Sequence, residues 1–166
     1  MLSLINSYKS KGLLLDTNLF VLLIIGTIDR EKIKDNKRTG AYSPDDFDLL
    51  LRFINSFSKI VITPHILAET SNLVDVFNKK LKSLPFEVIK KLLEVGGFEE
   101  QQIPALQVCE TGGFLRYGLT DSGLVEVARN SYLILTDDLR MANYCYEEQA
   151  DVINFNHIRE IAWAEE

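Results

Sequence analysis

The sequence is poor in the residues that build cysteine- and histidine-based sites. Among its 166 residues it has two cysteines and two histidines. Cys109 and Cys145 are too few for a disulfide framework, and neither has a partner at the spacing of zinc ligands. His65 and His157 lie in no recognisable nucleophile–base motif, and serine and cysteine nucleophile signatures are absent. A disulfide scaffold, a zinc site and a triad hydrolase are therefore not expected, and a reducing cytoplasm is the predicted location.

Long apolar runs are also missing. The stretch at residues 13–25 is very apolar, but Asp16 and Asn18 interrupt it, and it is shorter than the roughly 20 apolar residues that cross a bilayer. A buried strand followed by a buried helix explains it better. The N-terminal sequence MLSLINSYKSKG lacks the charged start, apolar run and small-residue cleavage site of a secretory signal. No membrane association is expected.

Positive charge is in deficit. The chain has 18 Lys and Arg against 24 Asp and Glu, a formal net charge of −6. This balance argues against broad, nonspecific binding to a phosphate backbone. It does not exclude a nuclease, because acids that bind a metal add to the negative count. The local basic groups are read most simply as solvated helix faces; they are Lys32, Lys34, Lys37, Arg38, Lys79, Lys80, Lys82, Arg116, Arg129 and Arg140.

What the chain does have is a regular alternation of short apolar runs and amphipathic stretches. Strands are predicted at residues 12–15, 59–62, 132–135 and 151–155, and cap-plus-proline pairs at Ser43-Pro44 and Thr63-Pro64 predict helix starts. Such alternation is typical of a parallel sheet with helices on both faces. We therefore predict one α/β domain over residues 1–166, a three-layer α/β/α sandwich around a central, mostly parallel sheet.

Other segments have less regular patterns. Residues 29–43 are polar and charged and predict a loop or an exposed hairpin, and residues 106–109 predict a short strand within an irregular region. The helix that opens at Thr63-Pro64 is predicted to run through Phe77. Thr120 is predicted to cap a helix that runs from Asp121 to about Asn130.

Acidic residues stand at positions where this fold would gather them. Asp16 follows the apolar run LLL, and the pair Asp137 and Asp138 follows LILT. Asp121 lies in the first turn of a predicted helix, and Glu69 lies almost two turns into another. Ligand sites of open parallel sheets form at the carboxyl ends of the strands. Carboxylates crowded there repel one another unless a divalent cation holds them together. The pattern predicts a site for a hard metal ion.

Each acid also has a structural explanation when it is taken alone. Asp16 and the Asp137–Asp138 pair suit helix caps or turns, and Asp121 suits the positive end of a helix dipole. A helical glutamate such as Glu69 is usually solvated. The occurrence of all four positions at one edge of the predicted sheet favours the functional interpretation.

Four motifs, taken in order, resemble those of the PIN-domain family of metal-dependent ribonucleases, which includes the VapC toxins. They are LLLDTN, ILAETSN, LTDSGLVEVA and LILTDD, and the closing strand DVINF also resembles the end of that domain. The resemblance covers most of the chain and implies that four acids are catalytic and bind one or two Mg²⁺ or Mn²⁺ ions, namely Asp16, Glu69, Asp121 and Asp138. The Thr-x-Asp pattern favours Asp138 over Asp137. Asn18, Thr136 and Asp137 would support these ligands or contact the substrate phosphate.

The resemblance also implies a function. It predicts a PIN-like endoribonuclease that hydrolyses RNA phosphodiester bonds with a metal-activated water, in the manner of a VapC-like toxin. RNA would be the substrate, and a homodimer and an antitoxin protein are the implied protein partners. Two alternatives remain open. One is a catalytically inactive PIN-like module that binds RNA or protein. The other is an acid-rich α/β hydrolase that forms a phospho-aspartate.

Overall fold

Five short strands form one parallel sheet at the centre of the molecule. The computed structural model describes residues 1–74, 82–129 and 131–164. Within them the strand order is β3-β2-β1-β4-β5, and every neighbouring pair is parallel. The strands are β1 (Leu13–Leu15), β2 (Ile60–Ile62), β3 (Phe98–Glu100), β4 (Leu133–Thr136) and β5 (Val152–Asn154). This sheet and its flanking helices confirm the predicted three-layer α/β/α sandwich.

The helices connect the strands and cover the sheet. They are α1 (Leu2–Tyr8), α2 (Thr17–Ile28), α3 (Pro44–Ile54), α4 (Pro64–Leu73), α5 (Leu84–Glu94), α6 (Ala105–Cys109), α7 (Phe114–Ala128), α8 (Leu139–Glu147) and α9 (Phe155–Ala164), with a 3-10 helix at Arg30–Asp35. In the part of the chain that the structure describes, no helix has the length and apolar character needed to cross a membrane.

The most buried helix is α2, which follows β1 directly. Its residues from Leu19 to Gly26 are all buried, in line with the nearly continuous apolar run in the sequence. Gly26 is required for this packing, because a Cβ at that position would collide with the ring of Phe47 on α3. The centre of the molecule is therefore α2, packed between the sheet and the neighbouring helices.

Local signals that the sequence carries explain where most helices begin. The Ser43 hydroxyl accepts from the Asp46 amide, and the Asp46 carboxylate accepts from the Ser43 amide, so the two residues form a capping box ahead of Pro44. At α4, the Thr63 hydroxyl accepts from the Ile66 amide and a proline again follows the cap. Both predicted helix starts are confirmed. The predicted passage of the helix through Phe77 lies outside the described residues, as does the predicted helix end at Asn130.

One prediction about irregular segments is wrong and another is partly right. Residues 36–43 are a loop, as predicted, but residues 30–35 form the 3-10 helix, whose first turn is capped by the Asp29 side chain on the Glu31 amide. Residues 106–109 belong to α6, because a four-residue apolar–polar alternation suits one helical turn as well as a strand. The strand of this region is instead β3, which was not predicted; its sequence Phe-Glu-Glu carries two glutamates and lies at the sheet edge.

Helix α7 contains a break that was not predicted. Gly118 has φ 82° and ψ −174°, so the run from Phe114 to Ala128 is two helical segments joined at this residue. The predicted cap at Thr120 is wrong, since Thr120 lies inside the second segment. Asp121 follows the break by three residues and therefore lies in the first turn of that segment. The break determines how Asp121 is oriented relative to the residues before Gly118.

Gly118→Ala is expected to destabilise the fold by about 1–3 kcal/mol, because this backbone region is open almost only to glycine. No atom lies within 4 Å of the position that the new Cβ would take, so the loss has a backbone cause and not a steric one. Urea unfolding measures the difference. Gly112→Ala is the matched control, since Gly112 is exposed, has no atom within 4 Å of an added Cβ and has no positive φ. Equal losses in both variants would contradict the prediction.

Candidate functional site

The candidate site lies where the strand order reverses. The chain leaves β1 towards β2 and β3 on one side of the sheet, and β4 and β5 occupy the other side. The crevice at the carboxyl ends of β1 and β4 is thus the switch point at which open α/β sheets bind ligands. Asp16 follows β1, and its amide donates to the Leu135 carbonyl at 3.1 Å, which holds the ends of the two strands together.

A pocket of about 140 Å³ opens at this crevice. It brings together the four predicted acids from four separate segments: the β1–α2 junction, α4, α7 and the β4–α8 junction. Its lining residues are Asp16, Thr17, Asn18, Arg38, Glu69, Asp121, Asp138 and Met141.

Asp16 is the most firmly held of the four acids. It is buried, and Oδ1 accepts from the Leu19 amide at 3.0 Å as the cap of α2. Oδ2 accepts from the Thr136 hydroxyl and from the Asp137 amide at 3.3 Å. Burial, and then the charge of Asp137, raise the pKa of Asp16 well above its usual value, and these hydrogen bonds oppose the shift. The carboxylate therefore has one orientation, set by its neighbours.

Asp121 is surrounded by other carboxylates. Burial, then the charges of Glu69 and Asp138, raise its pKa to about 6, and the charge of Arg140 opposes the rise. Glu69 is tied to α2, because the Thr17 hydroxyl donates to its Oε2 at 2.9 Å. The pocket thus concentrates negative charge that the surrounding protein only partly compensates.

The two neighbouring aspartates after β4 have different environments. Asp138 lines the pocket and caps α8, with Oδ1 accepting from the amides of Arg140 at 2.7 Å and Met141 at 3.4 Å. The Asp137 carboxylate accepts from the Tyr42 hydroxyl at 2.5 Å and from the Asn18 side-chain amide at 3.1 Å, and Asp137 is not among the lining residues. Of the two, Asp138 is the residue that lines the pocket.

The supporting residues act through hydrogen bonds. Thr136 donates to Asp16 and accepts from the Asp138 amide at 3.0 Å, so one hydroxyl contacts two of the four acidic residues. Asn18 reaches Asp137. Thr136 therefore orients Asp16, and Asn18 orients Asp137.

Sequence reasoning missed Arg38 and Tyr42. Arg38 was interpreted as part of a solvated face, yet it lines the pocket. Its amide donates to the Asn36 side chain at 2.7 Å, and the Asn36 side chain donates to the Leu73 carbonyl at 2.7 Å. The segment before α3 is thereby fastened to the end of α4. No local pattern marks either residue, since only this long-range contact brings the segment to the site.

The acids of the pocket offer the type of ligand atom that a hard divalent cation binds. Carboxylate oxygens are the ligands that Mg²⁺ and Mn²⁺ prefer. Within the described ranges, none of the four acids has a Lys or Arg nitrogen within 4.0 Å. Across residues 1–74, 82–129 and 131–164, no three carboxylate, imidazole or thiol side chains lie close enough together to hold one ion as they stand. An ion would have to draw the carboxylates inward.

In the absence of divalent ions, the protein is expected to lose stability as the pH rises between about 4 and 6. The pKa of Asp121 is raised from 3.8 to about 6, so in that window the folded chain keeps a proton that the unfolded chain has released. Asp16, with its raised pKa, acts in the same direction. For the partly exposed Asp121, the destabilisation above this window is about 1–3 kcal/mol.

Urea unfolding in EDTA at about pH 4.5 and about pH 7 measures this effect. The Asp121→Asn variant is the comparison, because it cannot release the proton, and its stability should fall less over the same interval. Identical pH dependence in the two proteins would contradict the assignment of the raised pKa to Asp121.

Comparisons with known proteins leave the function open. No protein-family model matches the sequence, and no curated protein matches it. Among solved structures, the chain is similar to a domain of a functionally unknown protein from Methanocaldococcus jannaschii DSM 2661, with 17% sequence identity over 88% of this chain and 90% of that chain, and a TM-score of 0.44.

Proposed function

We propose that this chain is a PIN-like, metal-dependent endoribonuclease. In this proposal Asp16, Glu69, Asp121 and Asp138 hold Mg²⁺ or Mn²⁺. The observation that carries the proposal is the convergence of these four acids, from four separate segments, on one pocket at the strand-order reversal. Burial, and then the charges of Glu69 and Asp138, raise the pKa of Asp121, so its ionised form destabilises the fold and a purely structural role does not explain the grouping of these acids.

The metal supplies two kinds of chemistry when bound: it lowers the pKa of a water and stabilises charge on the phosphorus oxygens. The protein supplies orientation. Asp16 has both oxygens fixed by Leu19, Thr136 and the Asp137 amide, and Asp138 is fixed as the α8 cap. Arg38 is the cationic side chain among the pocket's lining residues, and its planar guanidinium is suited to a phosphate. We assign it to the scissile phosphate.

A catalytically silent binding module is the second candidate. It is favoured by the spacing of the carboxylates, since no three potential ligands among the described residues converge closely enough to hold an ion as they stand. The phospho-aspartate alternative has less support, because both oxygens of the buried Asp16 already accept hydrogen bonds. A toxin role, an antitoxin partner, a homodimer and a cytoplasmic location stay predictions.

Incubation with a panel of single-stranded and structured RNAs, in Mg²⁺, Mn²⁺ or EDTA, tests the proposal. The wild type should cleave RNA only with a divalent ion. Asp138→Asn should lose that cleavage and remain folded, because asparagine caps a helix about as well as aspartate. Asp45→Asn is the control of equal charge change, since Asp45 is an acid in the first turn of α3 that lies outside the pocket.

Three results would overturn the proposal. If the wild type is inactive with both ions and calorimetry detects no metal binding, the silent binding module is the better description. A trapped phospho-aspartate would instead identify the covalent hydrolase. Cleavage that Asp138→Asn leaves intact would remove the acidic pocket from the reaction.

A further inference from the structure

A cluster of two arginines and a tyrosine lies beside the acidic pocket. We call Arg116, Tyr117 and Arg140 the Arg–Tyr cluster. The guanidinium carbons of Arg116 and Arg140 lie 4.9 and 5.0 Å from the centre of the Tyr117 ring. The same ring stacks on Tyr144 at 3.9 Å with an interplanar angle of 14°. The tyrosine pair is thus a rigid support that holds two guanidinium groups at the surface.

The two guanidinium groups are available to a ligand. Arg140 donates to the Arg116 carbonyl, and among the described residues it has no carboxylate within 4.0 Å. Arg116 has one ion pair, with Glu147 at 3.4 Å, in which the side chains are 65% and 53% exposed. Exposed pairs of this kind contribute little stability, so an anionic ligand can displace Glu147.

An open pocket of about 620 Å³ adjoins the cluster, lined also by Leu139, Asn143 and Glu147. Leu139 is 63% exposed and gives the pocket an accessible apolar surface. Besides the Glu147 carboxylate, the pocket therefore contains two positive charges, planar groups, an apolar side chain and an amide that can donate or accept hydrogen bonds.

The first turns of α8 join this pocket to the acidic one. Asp138 and Met141 line the acidic pocket, and Leu139 and Arg140 line the open pocket. The Arg140 charge acts on Asp121, where it opposes the rise in pKa. A chain of nucleotides with one phosphate in the acidic pocket would therefore place a neighbouring nucleotide at the Arg–Tyr cluster.

We infer that the Arg–Tyr cluster is a nucleotide-binding subsite for single-stranded RNA next to the scissile bond. A base stacks on a guanidinium plane or on Leu139, and the arginines bind the flanking phosphates. This inference rests on the proposed function. Single-stranded RNA fits better than an acidic peptide, because a peptide carboxylate would use the positive charge and leave the planar and apolar surfaces without a partner.

Binding of a fluorescein-labelled single-stranded RNA of about ten nucleotides, followed by anisotropy in EDTA, tests the subsite. The Arg116→Gln/Arg140→Gln double variant should bind at least about tenfold more weakly than the wild type. The slope of log K against log salt should shrink by about 1.4, as expected for two lost phosphate contacts to a single strand. Arg52→Gln/Lys9→Gln is the control of equal charge change, on residues that line a different pocket beside α1 and α3.

A comparison of several ligands tests which chemical groups the subsite recognises. An abasic oligomer of the same length should bind more weakly than RNA to the wild type, and the two ligands should differ less in the double variant. Poly-glutamate that binds as tightly as RNA would overturn the inference in favour of an acidic-protein surface. Equal RNA affinity in the wild type and the double variant would overturn it as well, as would an equal loss in the control.

The two proposals can fail separately, because no divalent ion is present and binding is read without cleavage. A chain that binds RNA through Arg116 and Arg140 but never cleaves it refutes the nuclease proposal and leaves the subsite standing. If the wild type cleaves RNA and the double variant binds RNA as tightly as the wild type, the subsite is refuted and the nuclease proposal stands.

Discussion

Asp121→Asn is expected to lose metal-dependent RNA cleavage by at least about a hundredfold and, in EDTA near pH 7, to be more stable than the wild type. The two effects have one cause. Burial, and then the charges of Glu69 and Asp138, raise the pKa of Asp121 to about 6, so its ionised form destabilises the metal-free fold. Removal of the charge relieves this burial and repulsion by about 1–3 kcal/mol and deletes one of the proposed metal ligands.

The sign of the stability change distinguishes a functional acid from a structural one. An aspartate that only favoured the helix dipole would stabilise the fold, and its replacement would cost about 0.3–1 kcal/mol. Urea unfolding in EDTA, combined with the RNA cleavage assay in Mn²⁺, gives both readings on one protein. The Asp45→Asn control, also in the first turn of a helix, should change neither by much. A destabilised but active Asp121→Asn protein would contradict both the site and the explanation of the pKa.

Asp46→Ala is expected to cost about 3–5 kcal/mol, the largest stability loss among these variants. The Asp46 side chain is 1% exposed and that of Arg159 13%. Arg159 Nε lies 2.8 Å from Oδ1 of Asp46, and its terminal nitrogen lies 3.0 Å from Oδ2. Truncation leaves a largely buried guanidinium without its partner and also removes the capping box with Ser43. The first loss weakens the attachment of α9 to α3, and the second weakens the start of α3.

Asp48→Ala is the matched control, because Asp48 lies on the same helix and also pairs with an arginine. Its ion pair with Arg30 is 2.7 Å long, but the Arg30 and Asp48 side chains are 46% and 39% exposed, so we expect a loss within about 1 kcal/mol. Urea unfolding of both variants measures the contrast. Similar losses in the two would show that burial of the Asp46 pair does not determine its contribution.

The same contact connects to the site. The Arg159 guanidinium lies 4.7 Å from the centre of the Tyr42 ring, and the Tyr42 hydroxyl donates to Asp137. The Asp137 amide in turn donates to the Asp16 carboxylate. Asp46→Ala is therefore expected to weaken Mn²⁺ binding in calorimetry, under conditions where the variant is still folded, while Asp48→Ala leaves the binding unchanged.

Much of the central fold could be predicted because its signals are local. Strands β1, β2 and β4 are fully buried and appear in the sequence as uninterrupted apolar runs. Ser43-Pro44 and Thr63-Pro64 combine a side-chain acceptor with a residue that has no amide hydrogen, and this chemistry favours a helix start in any context. β3 was not predicted because an edge strand can carry charged residues, here two glutamates, which removes the apolar pattern.

In the candidate site, too, some residues could be predicted from local sequence signals and others could not. Asp16 and Asp138 were predictable, because each follows a buried strand and parallel strands end at the same edge of a sheet. The distinction between Asp137 and Asp138 was not settled by the sequence pattern, since it depends on contacts from Tyr42 and Asn18. Arg38 reaches the pocket only through the contact of Asn36 with the end of α4.

By itself the sequence determined the buried strands, most helix starts and the positions of the acids along the chain, because hydrophobic burial and helix capping act over a few residues. Tertiary structure alone decided the strand order, the break at Gly118, and the meeting of Arg116 and Tyr117 with Arg140 from a different helix. These features depend on how distant segments pack against one another, and the free energy of that packing is not carried by any one stretch of sequence.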